Sequence, residues 1–176
     1  MNSVVYWLNQ ADEIVDVNDE WDNFALDNDG NEVVRDKVIG KPLFNFIVGE
    51  STRMFVDNLL RRARLRYQET HKFYRCDSPD VKRFMEMRIV PEDRDLLRLE
   101  HTIIRREVMT PPVYYQYSPT IKHPYRRCSI CNKVLHQSVW CEGSDLIRAL
   151  PQSSVDAIDA IDVIYHVCPT CIYQLI

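Results

Sequence analysis

The stretch EIVDVNDEWDNFALDN, residues 13–28, changes character at Asn18. Before it, Ile14, Val15 and Val17 make a β-branched run of the kind that favours a strand. After it, Trp21, Phe24 and Ala25 stand at i, i+3 and i+4, the apolar face of a short helix, with Asn18 or Asp19 placed to cap its first turn. The polar run DNDGN ends that helix. Upstream, SVVYWLN is a second β-branched and aromatic run, and QADE between the two reads as the turn of a hairpin.

Working outward, VIGKPLFNFI places Gly40 and Pro42 ahead of an apolar turn, which bends the chain into another short helix. The longest helical pattern runs from Glu50 to Thr70, capped near Ser51 or Thr52. Phe55, Leu59, Ala63 and Tyr67 follow at i+4 with Val56 and Leu60 alongside, so one stripe faces a core. Arg53, Arg61, Arg62, Arg64 and Arg66 fall largely outside that stripe. Three extended segments follow: HKFYRCD, VKRFMEMRIVPE and DLLRLEHTIIRRE. Val81, Arg83, Met85, Met87 and Ile89 share one face of the second, and Leu97, Leu99, His101 and Ile103 share one face of the third. Two strands, short helices, a long helix and three strands is an α+β layout with an antiparallel sheet.

This order resembles a PAS domain over roughly Val4 to Glu107. EIVDVNDEWDNFA resembles the pattern in which a strand ending in Asn opens a helix carrying an aromatic residue. VIGKPLFNFI resembles the later turn, through Ile39, Gly40, Leu43, Phe44 and Phe46. FYRCDSPDVKRFMEMRIVP is similar to the segment joining two strands in a group of bacterial PAS-like proteins. The resemblance implies a five-stranded antiparallel PAS-like sheet flanked by helices, acting in sensing or protein interaction rather than catalysis. It also implies a ligand pocket between sheet and helices, for which Phe24, Phe44, Leu59, Met85, Met87, Leu99 and His101 are the candidate lining and the ligand is an unidentified small molecule. The photoactive flavin subgroup needs a reactive cysteine on the helix after the first hairpin, and no cysteine precedes Cys76. No histidine lies in residues 19–69, where a helical haem ligand would stand.

The composition breaks at MTPPVYYQYSPTIKHPY, residues 109–125, with four prolines, four tyrosines and no periodic face. Proline fixes its own φ and pushes its predecessor toward extended backbone, so this reads as an extended connector. The expected organisation is a PAS-like unit over 1–108, the connector, and a small element over 126–176.

That last element holds RRCSICNK and HVCPTC, with Cys128 and Cys131 answered by Cys168 and Cys171. Each CxxC delivers two sulfurs from one tight turn, and two such knuckles complete a tetrahedral four-cysteine site of the structural zinc type. The element therefore resembles a zinc ribbon, and Zn2+ is the expected metal. Asn132 follows the first pair, where left-handed backbone is often required and Asn tolerates it. Ile172 stands at the matching position of the second pair, where Gly is usual, and the 36 intervening residues exceed the common spacing of about 15–20. A helical insertion within GSDLIRALPQSSVDAIDAID accounts for the excess. Iron shares the same thiolate preference and is the chemical alternative. A redox dithiol would need a CxxC at a helix start, and neither pair precedes a convincing helix. Cys76 and Cys141 read as small buried hydrophobes, with Cys141 or His136 as substitute ligands should one knuckle fail.

The other candidates favour structural roles. His101 shares its face with leucines, and a satisfied histidine is the preferred reading over a ligand contact. Met85 and Met87 fit a core better than a cofactor stripe. Asp77, Ser78, Pro79 and Asp80 are turn chemistry. With four glycines and no phosphate loop, HExxH or Ser/His/Asp order, no catalytic constellation is visible, and the expectation is a non-enzyme.

Charge is uneven under a net value of −4: residues 1–50 carry 11 acidic and 3 basic side chains, and residues 51–110 carry 10 and 14. That balance disfavours nucleic-acid binding by the whole protein and leaves a local basic face in the middle third. The composition, 45% hydrophobic and 27% charged, is that of a globular protein. Without a signal-type start or an apolar run of about 18 residues, the chain is expected to be cytoplasmic, with no membrane partner. The expected function is signal sensing or interaction through a protein partner or homodimer. The alternatives are a nucleic-acid-associated regulator using the zinc ribbon and arginine-rich helix, and an iron or thiol redox protein.

Overall fold

A computed structural model describes residues 3–92, 95–150 and 160–174. The chain forms two compact units: Met1–Val48, Arg53–Tyr74 and Met85–Ile104 in one, Gly49–Thr52, Arg75–Phe84 and Arg105–Ile176 in the other.

The first unit is built on a five-stranded antiparallel sheet of β1 (Val4–Leu8), β2 (Ile14–Val17), β3 (Thr70–Arg75), β4 (Val81–Pro91) and β5 (Leu97–Val108), in the order β2-β1-β5-β4-β3. The helices α1 (Asp19–Leu26), α2 (Arg35–Val38) and α3 (Glu50–Arg66) lie between β2 and β3 in the chain. The alternation read from sequence is the alternation of burial: Met85, Met87 and Ile89 on β4 and Leu97 and Leu99 on β5 are buried, while their neighbours are partly exposed. Tyr6 pairs with Leu99 and Leu8 with Leu97, placing two buried β1 residues beside the β5 pair. On α3 the buried residues are Phe55, Leu59, Leu60 and Ala63. Tyr67, expected to extend that stripe, is exposed and has φ +47. The helix ends at Arg66, three residues before β3 begins, so the reversal falls on Tyr67 and removes it from the core.

Asn18 does something other than the expected capping. It occupies the N-cap position of α1 but makes no side-chain cap bond. Instead its Oδ1 accepts from the Val5 N–H at 2.9 Å and its Nδ2 donates to the Ser3 carbonyl at 2.8 Å, clamping the start of β1. The hairpin turn is held from the helix by Arg64, which pairs with Asp12 at 2.7 Å and donates to the Asn9 carbonyl at 2.8 Å. One member of the arginine run is thus half-buried and structural.

The second unit contains a mixed five-stranded sheet: β6 (Tyr115–Tyr117), β7 (Tyr125–Cys128), β8 (Val134–His136), β9 (Val139–Cys141) and β10 (Ile161–His166), ordered β6-β10-β7-β8-β9. β10 runs parallel to both of its neighbours, and β7, β8 and β9 form an antiparallel meander. Helix α4 (Gly143–Ala149) and the five-residue helix α5 (Pro169–Tyr173) complete the described elements. Met109, Val113, Val134, Leu146, Ile161 and Val163 form a buried apolar cluster.

Two expectations change here. The segment 109–125 is not simply a connector: it contributes Met109 and Val113 to that cluster and Tyr115–Tyr117 as an edge strand. The reason is that backbone geometry favoured by proline is also strand geometry, and the apolar residues flanking Pro111 and Pro112 find a core. The second unit also exceeds the small element expected over 126–176, because residues 75–84 and 105–125 belong to it. Of the expected helical insertion, Gly143–Ala149 is helical and residues 151–159 lie outside the described residues.

Replacing Asn18 by Ala removes two part-buried hydrogen bonds to β1 at once and is expected to destabilise the protein by about 1–3 kcal/mol in urea unfolding. A loss below about 0.5 kcal/mol, the size of an ordinary surface change, would show that the clamp is not stabilising.

Candidate metal centre

Cys128 ends β7, and the turn that follows folds back tightly onto it. The Cys128 N–H donates to the Lys133 carbonyl at 2.8 Å, and the Asn132 N–H donates to the Cys128 carbonyl at 2.9 Å. Asn132 has φ +59, the left-handed conformation expected at that position. Its side chain donates to the Arg75 carbonyl at 3.2 Å, and the Arg75 N–H donates to the Ile130 carbonyl at 2.7 Å, so Arg75, a residue of the same unit, braces the turn. Thr52 and Ser129 share a hydrogen bond of 2.6 Å between their hydroxyls.

The second pair is delivered differently. Cys168 is the N-cap residue of α5, and Pro169 follows in the first turn, where its missing N–H costs nothing. The Ile172 N–H donates to the Cys168 carbonyl at 3.1 Å, a helical bond. This resolves the irregular Ile172: the chain continues as helix, so no glycine is needed for a left-handed residue. It also corrects the expectation that neither pair precedes a helix.

The four thiol sulfurs of Cys128, Cys131, Cys168 and Cys171 lie within 4.8 Å of one another, and three of the four residues are buried. Cys131 Sγ and Cys168 Sγ are 3.8 Å apart. None of the four is in a disulfide. Metal–sulfur bonds of about 2.3 Å in a tetrahedron give sulfur–sulfur edges of about 3.8 Å, so the donor set fits a tetrahedral thiolate ion. Backbone N–H groups of Ile130 and Cys168 point at Cys128 Sγ at 3.4 and 3.3 Å, as donors to a charged sulfur would. Hydrogen bonds from Cys131 and Cys171 hold the Cys128 thiol far below its ordinary range, while the bond to Cys128 pushes Cys131 up to about 12 and Cys171 up as well. Four thiol sulfurs this close are the donor set that a thiophilic cation takes up.

Cys76 and Cys141 stay outside this cluster and are half-buried, with burial pushing both thiols up. His136 is likewise outside it; its ring is tilted against Tyr125 at 6.2 Å.

The sequence did not expose a second charged group in this unit. Arg75, side chain 9% exposed, pairs with Asp77 and with Glu142 Oε1 at 2.8 Å, and Lys82 takes Glu142 Oε2 at 2.9 Å. Asp77 also accepts from the Arg83 N–H at 3.2 Å. The expected turn is present, with Ser78 and Val81 bridged, but Asp77 is a buried ion-pair partner as well. These residues are spread over the β3–β4 turn and the start of α4, and their pairing has no local sequence signal.

Among the candidate pocket residues of the first unit, Leu59, Met85, Met87 and Leu99 are buried and Phe24 and Phe44 are half-buried. His101 sits between tyrosines: Tyr74 Oη is 2.7 Å from its Nδ1, Tyr6 Oη is 3.4 Å from its Nε2, and the Tyr6 ring is stacked on it at 5.5 Å. Burial lowers its pKa to about 4 and pushes the Tyr6 phenol up.

The chain is therefore an α+β protein with a five-stranded antiparallel sheet in one unit and, in the other, a tetracysteine cluster that could hold a metal ion. No protein-family profile and no curated protein matches it. Among solved structures it is similar to the crystal structure of a domain of an HTR-like protein from Haloarcula marismortui, at 15% identity and a TM-score of 0.45, over 58% of this chain and 98% of that one. No helix among the described residues is long and apolar enough to cross a membrane.

The buried His101 gives a pH signature. Its native pKa of about 4 lies below the ordinary 6.5, so the unfolded state takes up the proton first as pH falls. Its contribution is complete above pH 6.5 and is lost between there and pH 4, at most about 3 kcal/mol. The stability difference between wild type and His101→Gln in urea should shrink across that window, and a difference independent of pH would refute the buried neutral imidazole.

Proposed function

We propose that this chain is a non-catalytic, PAS-like sensing or interaction module whose second unit is held together by a structural zinc ion at Cys128, Cys131, Cys168 and Cys171. The observation that carries the zinc assignment is the convergence of four sulfurs within 4.8 Å from two separate CxxC turns. A set of four thiolates with no water-bearing position suits structural rather than catalytic zinc. When bound, the ion supplies a crosslink between the β7–β8 turn and the start of α5. The protein's part is to hold the sulfurs close, direct the Ile130 and Cys168 N–H groups at Cys128, and bury the cluster. The second unit has only a modest apolar cluster, and small cores commonly rely on a metal.

The PAS-like reading rests on the element order of the first unit together with the strand-to-helix transition at Asn18 and the turn through Gly40 and Leu43. In this reading the protein is cytoplasmic and works through a protein partner or a second copy. His101, already engaged by Tyr74 and Tyr6, is part of the packing rather than a ligand contact.

Metal analysis and native mass spectrometry of protein purified without chelators should return one zinc per chain in a colourless sample. Cys168→Ser should lose most of the metal and lower the thermal midpoint, and zinc added to chelator-stripped wild type should restore it. Visible absorbance with stoichiometric iron would replace zinc by iron, and metal-free protein with an unchanged midpoint would end the proposal.

A further inference from the structure

Arg127 lies on β7 with only 8% of its surface exposed. Its guanidinium carbon is 3.9 Å from the centre of the Tyr115 ring. Its Nε is shielded from solvent and meets no hydrogen-bond acceptor, and among the described residues it forms no ion pair. The charges around it do not neutralise it. Asp77 and Glu142 are the carboxylates of the group, and they are engaged by Arg75 and Lys82. Both carboxylates are thus already taken by other cations, and neither pairs with Arg127. That these groups share one neighbourhood is shown by Tyr115, whose phenol is pushed up first by burial and also feels Arg127, Asp77, Arg75 and Glu142.

A buried guanidinium without a counter-charge is strongly unfavourable. Stacking on an aromatic ring engages its flat face and leaves its N–H edge, the part that recognises oxyanions two oxygens at a time. The tip of Tyr115 is confined by Gly143, where an added Cβ would overlap the hydroxyl, and by Val113, which stands 3.2 Å from the same point. A small anion suits such a site better than a large one.

We propose that Arg127 and the Tyr115 hydroxyl bind a small oxyanion, a carboxylate or a phosphate, which supplies the missing negative charge beside the Arg75–Asp77–Glu142 group. Arg127 directly precedes the cluster residue Cys128 on β7, so anion binding is tested with the metal content left as purified.

The test uses the full chain with its purified metal content, probed with inorganic phosphate and with acetate at constant ionic strength, by calorimetry and thermal shift. At least one of the two should bind with one equivalent per chain and raise the melting temperature, and the preferred one distinguishes phosphate from carboxylate. Arg127→Gln should weaken that binding about tenfold or more, as loss of a charge-assisted pair does. Arg126→Gln, at the exposed neighbouring position, should leave it unchanged. Should Arg127→Gln fail to fold, Arg127→Lys, which keeps the charge and loses the planar edge, should weaken binding several-fold. Absence of binding by either anion up to about 10 mM would overturn the proposal, as would unchanged affinity in the folded Arg127 variant.

Discussion

The second unit depends on one pairing, that of β10 with β7 in parallel. His166 stands opposite Cys128 in that register, so the strand that leads into the second cysteine pair ends beside the first. Parallel neighbours cannot be joined by a tight turn; they need a crossover of about a dozen residues or more. The 36 residues between Cys131 and Cys168 follow from this topology, with β8, β9 and α4 placed along the return path. The unusual cysteine spacing and the mixed sheet are therefore one fact seen twice. The same strand carries Ile161 and Val163 into the apolar cluster, so the core and the thiol site are built by one element.

In the first unit, polar side chains fix what the apolar pattern leaves loose. A short hairpin is marginal alone. Asn18, just past the end of β2, holds the start of its inner strand β1, and Arg64 reaches from α3 to its turn at Asp12 and Asn9. The acidic bias of residues 1–50 and the basic bias of the middle third meet in that contact. Because both partners are largely shielded, salt screens it less than the more exposed Arg61–Asp57 pair on the same helix.

Much of this was legible because it was periodic or local. Alternation placed Met85, Met87, Ile89, Leu97 and Leu99 on the buried face, and the i+4 stripe placed Phe55, Leu59 and Ala63. The two CxxC pairs announced their cluster through short-range spacing. What stayed hidden was decided over distance. Asn18 had a capping position but found better partners on β1. Ile172 looked wrong only while the second knuckle was assumed to copy the first. Residues 109–125 looked like a linker because prolines dominate their composition, whereas Met109 and Val113 respond to a core assembled elsewhere. The Arg75, Asp77, Lys82 and Glu142 group joins residues up to 67 positions apart, and no window of sequence contains it.

The order β6-β10-β7-β8-β9 also bears on biosynthesis. Chains are made from the N-terminus, and β10 follows every other strand of its sheet. Until it emerges, β6 and β7 face each other across a gap one strand wide, and Cys128 and Cys131 wait as half of a thiol set. Sheet closure and completion of the thiol set then occur in a single late step. A chain interrupted before Ile161 would lack both the partner strand of β6 and β7 and the second cysteine pair.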